Sequence, residues 1–426
     1  MPNSVSRRRF LGSAAAGGAV LGVAASGWAA EQAPGRKIVV GVMGLGRGLG
    51  LAQQFQRQPG VEVAYVCDVG KRRLATAASQ LGKMAGKEPK AVDDVRRVLD
   101  DKSVDVLVCA APDHWHAPAT ILACAAGKHV YVEKPCCHNP REGELQIAAA
   151  RKHARVVQVG TQRRSWPGIA EAMEKLREGV IGRVLFSRSW YNDTRGSIGH
   201  GRPAPVPDWL NYELWQGPAP RRPYRDNLVH YNWHWFWHWG TGEIGNNGVH
   251  GLDLSRWGLS VDYPTRVSSG GGIYYFHDDQ ETPDSQVVTF EFGDKMIVWE
   301  GRNWHPRGFE GSGFGACFYG DQGTLLIHGA GYKVFDRKDK LVTQQGGSGG
   351  DAGHVANFLD AVRGTAKPHA EIETGYQSTL LCLLGSIAHR TGHALNCDPK
   401  NGRILHDAEA TALWSREYEP GWEPKV

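Results

Sequence analysis

From Gly35 to about Val159 the chain alternates short apolar, β-branched runs with amphipathic stretches of helical period. The runs are KIVVGVM (37–43), VEVAYVC (61–67), VDVLVCA (104–110), HVYV (129–132) and RVVQVG (155–160), with helices predicted over 71–82, 91–99, 117–126 and 140–153. Strands that are apolar at nearly every position must be buried on both faces, which defines a parallel sheet covered by its crossover helices. Beyond Gly160 the period shortens to two. Segments 183–192, 265–276, 284–292, 295–304 and 314–329 alternate apolar with polar residues, and helical patterns follow over 352–364 and 374–391. The predicted fold class is α/β: a parallel, doubly covered sheet, then an α+β domain with a mostly antiparallel open sheet.

The first thirty residues fit neither pattern. Ser6-Arg7-Arg8-Arg9-Phe10-Leu11 precedes a Gly/Ala-rich apolar run to about Ala25, and Ser26-Gly27-Trp28-Ala29-Ala30 offers small residues for cleavage. That order is an export signal, and the arginine pair before Phe-Leu resembles a twin-arginine address that carries a folded passenger to the periplasm. The leader changes the reading of charge. Of the formal +5, three charges are Arg7, Arg8 and Arg9; without them 46 Lys and Arg face 44 Asp and Glu, a net of +2. A nearly neutral mature chain is not built for nucleic acid or for charge-driven membrane binding, and no stable membrane insertion is expected after processing. The eight cysteines are scattered without metal spacing, and no disulfide is needed by a protein that folds before export.

The first strand runs into Gly44-Leu45-Gly46-Arg47-Gly48-Leu49-Gly50. Glycines there let the backbone turn and approach a pyrophosphate at the start of the next helix. Gly44 and Gly46 fit G-x-G-x-x-G, but Leu49 occupies the third site. Asp68 ends the second strand 24 residues after Gly44, where a carboxylate accepts from ribose hydroxyls. This favours NAD, while Lys71, Arg72 and Arg73 keep NADP open. The domains expected are the leader (1–30), a Rossmann NAD(P)-binding domain (36–158) and a second, α+β domain (159–426). Two further segments lie at carboxyl ends of strands: Ala111-Pro112-Asp113-His114-Trp115-His116, and Glu133-Lys134-Pro135 with a candidate cis bond.

In this order, Gly44-Leu45-Gly46, Asp68, Ala110–Ala119 and Glu133-Lys134-Pro135 resemble the Gfo/Idh/MocA oxidoreductases, the family of glucose-fructose oxidoreductase and inositol 2-dehydrogenase. The resemblance implies that Lys134 sits beside the nicotinamide and the substrate hydroxyl, that His116 lines the cofactor, and that the open sheet roofs the site and pairs subunits into a homo-oligomer. It also implies a catalytic role for His250 in Gly245-Asn246-Asn247-Gly248-Val249-His250-Gly251-Leu252-Asp253. The family's D-x-G-x-H-x-x-D has its first aspartate replaced by Asn246, an amide that positions a hydroxyl but relays no proton at neutral pH. Acid/base work then falls on Lys134 and His250. The expected cofactor contacts are Gly44, Gly46, Arg47, Asp68, Ala111, Pro112, His116, Glu133, Lys134 and Gln162.

Eight of the fifteen tryptophans fall between Trp190 and Trp257. In an extended segment Trp233, Trp235, Trp237 and Trp239 share one face, and flat indoles suit the C–H faces of a sugar. The expected substrate contacts are Arg163, Trp233, Trp235, Asn246 and His250; His234 and His238 lack a carboxylate to complete a metal set. Arg163 and Arg164 meet an anionic sugar substituent or form interdomain salt bridges. Two reactions stay open: hydride transfer at a sugar ring hydroxyl, or a redox-neutral glycoside hydrolysis through oxidation, elimination, hydration and reduction. A non-catalytic sugar-binding protein is the third reading. Export away from a soluble nucleotide pool predicts a tightly bound cofactor regenerated in place.

Overall fold

The computed structural model describes residues 36–426; the predicted export leader lies outside the described residues. Six strands form the first sheet: β1 (Ile38–Met43), β2 (Val61–Cys67), β3 (Lys90–Val92), β4 (Val106–Cys109), β5 (His129–Val132) and β6 (Val157–Val159). Their order is β3-β2-β1-β4-β5-β6 and every pair is parallel. The order reverses between β1 and β4, so the loops after these two strands diverge and leave a crevice at the carboxyl edge.

Two local expectations are corrected. The helix predicted over 91–99 is instead β3 followed by a single turn, Arg96–Leu99. Pairing with β2 claims residues 90–92, and the Asp94 carboxylate holds the Arg96 N–H at 2.9 Å in a turn. The helix predicted from 117 starts at Asp113, which puts His114, Trp115 and His116 on its first turn.

The second sheet has nine strands: β7 (Val184–Asn192), β8 (Arg266–Gly272), β9 (Ser285–Phe292), β10 (Lys295–Arg302), β11 (Phe314–Gly320), β12 (Gly323–His328), β13 (Gly331–Asp336), β14 (Leu341–Gln345) and β15 (Leu395–Asn396). The order is β14-β13-β12-β11-β7-β10-β9-β8-β15, antiparallel except for the β7–β10 pair. Helices Val249–Leu259 and Ile372–Thr391 cover one face. Close approach is built into the first: a Cβ on Gly251 would stand 2.9 Å from Ser189 Cβ, and one on Gly258 2.3 Å from Phe318. The other face leaves Phe186, Met296, Val298 and Tyr319 partly or well exposed. The β13–β14 hairpin is an addition to the predicted elements.

Two pieces tie the halves together. Helix Ala352–Val362 returns to the first sheet, where Phe358 meets Phe55 and Tyr131 edge-on at 6.0 and 5.8 Å. Residues 193–243 hold little regular structure but have an aromatic core of their own, with Tyr212, Trp215, Trp233 and Trp239 buried together. This insert leans on the first domain: Trp115 Nε1 donates to the Trp215 carbonyl at 3.1 Å, and the His114 ring reaches the same oxygen at 2.9 Å.

Candidate active site

The crevice after β1 and β4 opens into a cavity of about 330 Å³ that extends under the aromatic insert. Gly44 starts it. Its φ is +84°, and a Cβ there would stand 2.4 Å from the Ala110 carbonyl, so only glycine lets the two loops touch. Helix Arg47–Gln56 begins directly after Gly46, aiming its free N–H groups at the cavity. The imperfect fingerprint is resolved here. Gly48, not position 49, is the third glycine, because a Cβ on it would be 3.2 Å from Val42 and 3.3 Å from Ala110.

Asp68 lines the cavity and is 7% exposed. One carboxylate oxygen accepts from the Leu45 N–H at 2.7 Å and the other from Gly70 N–H at 2.8 Å. Each oxygen keeps a lone pair for a ribose hydroxyl. Burial pushes its pKa up, while the two N–H groups and Arg73 pull it down. Of the three basic residues that follow, Arg73 lines the cavity and Lys71 and Arg72 do not.

Arg47 also lines the cavity but is committed elsewhere. It reaches Glu133 at 3.2 Å and Asp351 at 2.7 Å, clasping the glycine loop to the Glu133-Lys134-Pro135 loop and to the returning helix. Burial works against its charge, but the two carboxylates outweigh that and hold its pKa above the ordinary range. Ala111, Pro112 and Glu133 line the same wall. His116 lines it too, with its ring fixed by two backbone carbonyls: Nδ1 at 2.6 Å from Pro135 and Nε2 at 2.7 Å from Ala111. It braces the two ligand-facing loops against each other.

Lys134, whose bond to Pro135 is cis, points its ammonium at the opposite domain and donates to the Asn246 carbonyl at 2.6 Å. That carbonyl comes from a π-helical turn, Ile244–Gly248, just ahead of helix Val249–Leu259. A widened turn shifts the helical ladder by one residue and frees a carbonyl for a side chain. The Asn246 amide oxygen lies at 3.5 Å from the same ammonium, and its nitrogen at 3.4 Å from Glu243. His250, one turn on, is 9% exposed and is not among the residues lining the cavity, and its Nδ1, closed off from solvent, has no partner among the described residues. Burial, then the nearby charges of Lys134 and Arg163, hold its pKa well below the usual imidazole value, so the ring is neutral.

Several expectations about the substrate side change. The segment carrying the tryptophans is not extended; Asn232–Trp235 is a 3₁₀ turn, so the four indoles diverge. Trp233 lines the cavity, whereas Trp235 is 2% exposed, has Arg195 over its ring at 5.7 Å, and is not among the lining residues. Gln162 is likewise absent from the lining, in a short turn after β6. The two arginines that follow it separate. Arg164 forms a buried salt bridge, 2.8 Å to Asp253, within the second domain. Arg163 has no carboxylate within reach among the described residues and lies over Trp166 and Phe314 at 4.6 and 3.9 Å. Burial pushes its pKa down to about 10. Among the described residues no His, Cys, Asp and Glu cluster is placed to hold a metal ion.

The structure adds groups that the sequence reasoning missed. Glu243 is 5% exposed, pairs with Arg195 at 3.2 Å, and accepts from the Asn247 amide at 2.5 Å. Its spacing of three and four from Asn246 and Asn247 was the available signal. Tyr231, His230, His234 and Trp215 also line the cavity, brought there by an insert whose sequence has no period.

A glycine cradle that a Cβ would fill, a helix N-terminus and an acid at the second strand define a dinucleotide-dependent oxidoreductase. The comparisons agree. Residues 38–161 match the oxidoreductase family's NAD-binding Rossmann fold and residues 189–423 its C-terminal alpha/beta domain, both of the Gfo/Idh/MocA type. A levoglucosan dehydrogenase of Pseudarthrobacter phenanthrenivorans is 32% identical over 360 residues, 78% of this chain and 80% of that protein. A glycosyl hydrolase family 109 protein of Saccharopolyspora erythraea is 31% identical over 212 residues, 44% of this chain and 46% of that one. In fold, the WlbA dehydrogenase from Bordetella pertussis, solved with NADH and UDP-GlcNAcA, superposes with a TM-score of 0.66 at 19% identity, over 85% of this chain and 99% of that one. The chain belongs to the Gfo/Idh/MocA oxidoreductase family and is an NAD(P)-dependent oxidoreductase.

Proposed function

We propose that the protein oxidises or reduces a ring hydroxyl of a sugar or glycoside, with Lys134 and His250 as its acid/base pair. The observation that carries this is the Lys134 ammonium, which lines the cavity and is held at 2.6 Å from the carbonyl of Asn246, one helical turn ahead of His250. NAD would be held by Gly44, Gly46, Asp68 and the first turn after Gly46; when bound, its nicotinamide supplies the hydride acceptor. As the C–H hydride departs, the O–H proton must leave as well. His250, held neutral, would take it on a ring nitrogen, and Lys134 would stabilise the alkoxide charge that develops. Glu243 restores a carboxylate near Asn246, where it orients the amides rather than the proton. Trp233 offers an apolar face for the sugar. The likeness to a levoglucosan dehydrogenase supports a sugar substrate.

A second reading, redox-neutral glycoside hydrolysis, is favoured by the likeness to a glycosyl hydrolase and by the leader, which we take as a twin-arginine export signal to the periplasm. A cofactor retained through the cycle needs no external pool. The half-exposed Phe186, Met296, Val298 and Tyr319 on the open sheet suit a second copy of the chain.

The test is to assay purified protein for co-purified nucleotide, then to add levoglucosan and aryl glycosides with and without NAD. NADH accumulating in step with sugar oxidation establishes the dehydrogenase. Aglycone release at constant NADH establishes the hydrolase. A Lys134→Ala variant should lose about 10²–10⁴-fold in kcat; full retention of activity rules out both mechanisms.

A further inference from the structure

A second cavity, of about 520 Å³, lies behind the active site. Asp113 lines the first cavity and Thr241 the second, and their side chains meet at 2.7 Å, so the two spaces share one thin wall. The floor of the second is apolar, made by Trp237, Leu383 and Ile387, with Ser386 set into it. Four arginines surround it. Arg221 is paired with Glu213, but Arg222, Arg390 and Arg416 have no carboxylate within salt-bridge distance among the described residues. The acids nearby are few: Glu417 on the rim, Glu142 acting on Arg416 from behind, and Glu281 acting on Arg390. His138 and His238 add no charge, since burial lowers the pKa of each and that of His238 to about 4.

Ser386 lies beside this lining with its hydroxyl closed off from solvent. It is 6% exposed, and its hydroxyl has no hydrogen-bond partner among the described residues. A buried hydroxyl left unpaired costs about 1–3 kcal/mol. Like charges gathered round an apolar floor repel one another, and Arg416 is further penalised by partial burial.

We propose that this cavity is a second binding site, taking a small molecule that carries a phosphate or carboxylate group. The oxyanion would lie among Arg222, Arg390 and Arg416, whose planar forks match its oxygens. The body of the ligand would rest on Leu383 and Ile387, beside Trp237, over whose ring Arg390 lies at 5.3 Å. A cavity of this size holds a phosphorylated sugar. The proposal is independent of the reaction at Lys134.

Calorimetric titration of NAD-saturated protein tests it, because saturation closes the other phosphate site, at the glycine loop. The probes are inorganic phosphate, glucose 6-phosphate and glucose. The expected result is one saturable, salt-sensitive site for the two phosphates that depends on the cavity arginines, whereas any heat from glucose belongs to the sugar cleft and does not change in the arginine variants. An Arg222→Gln/Arg390→Gln variant should bind them at least about tenfold more weakly, with NADH affinity and circular dichroism unchanged. Tighter binding of glucose 6-phosphate than of phosphate identifies an organic ligand; equal binding identifies the free anion. The single Arg222→Gln variant, at the exposed rim, serves if the double variant misfolds. No saturable heat from either phosphate, or binding unchanged in these variants, overturns the proposal.

Discussion

Asp68→Asn separates a cofactor contact from a structural brace. In the native structure both carboxylate oxygens already accept a backbone N–H, from Leu45 at 2.7 Å and Gly70 at 2.8 Å. An asparagine satisfies one and turns an NH₂ toward the other, leaving a buried donor facing a donor. That costs about 1–3 kcal/mol of stability. If Asp68 also accepts from the adenosine ribose, losing an ionised acceptor costs a further 1.5–3 kcal/mol of binding, about 10- to 150-fold in NADH affinity. The carboxylate also opposes a 2′-phosphate, with Arg73 as the one cation of the 71–73 run lining the site. The native protein should therefore prefer NADH to NADPH, and the variant should narrow the gap. Energy transfer from Trp215 and Trp233 to bound NADH reports both affinities, and thermal unfolding reports the brace. Burial raises the Asp68 pKa, so native NADH affinity should begin to fall at a higher pH than for an ordinary aspartate as the solution is acidified. A variant with a lowered Tm but NADH affinity within twofold of native would refute the ribose contact and leave Asp68 as a brace alone.

Gly44→Ala should reduce NADH affinity by at least about tenfold and lower stability by about 1–2 kcal/mol for the left-handed backbone, plus the cost of moving Ala110, all measurable by the same titration and melt. Asp253→Ala should cost about 3–5 kcal/mol in chemical denaturation, because it strands the buried Arg164 guanidinium, while Arg266→Gln at the exposed Glu291 pair should be nearly neutral. His114→Phe should be destabilising at pH 8, since the single N–H of the neutral ring is lost to the Trp215 and Trp239 carbonyls, of which the first keeps the Trp115 indole. Its deficit should shrink on acidification. The native His114 pKa is pushed down to about 3, so below about pH 6.5 the unfolded chain binds a proton that the folded chain refuses, and native stability falls by up to about 1.4 kcal/mol per pH unit from this group. A pH-independent difference between the two proteins would show that His114 is not held neutral.

The first domain was legible because its signals are local. A strand apolar at every position, a glycine run beside a helix start and an acid at the next strand end each state their own constraint, and together they mark a parallel sheet and put Gly44, Asp68 and Lys134 at the carboxyl ends of its strands. The antiparallel sheet was legible for the same reason, through its period of two. What the sequence could not state is which neighbours a side chain meets across the fold. Gly48 became the third glycine only through contact with Val42 and Ala110. Arg163 and Arg164 are adjacent and alike in sequence, yet the approach of Asp253 paired one and left the other stacked on Trp166 and Phe314. The tryptophans alternate as a strand would, but a 3₁₀ turn turned only Trp233 of the expected pair into the cavity. Local pattern settles which elements form, since hydrogen bonding and burial act along the chain. The chemistry of each site depends on long-range packing, because desolvation and ion pairing are set by whatever the rest of the chain brings within a few ångströms.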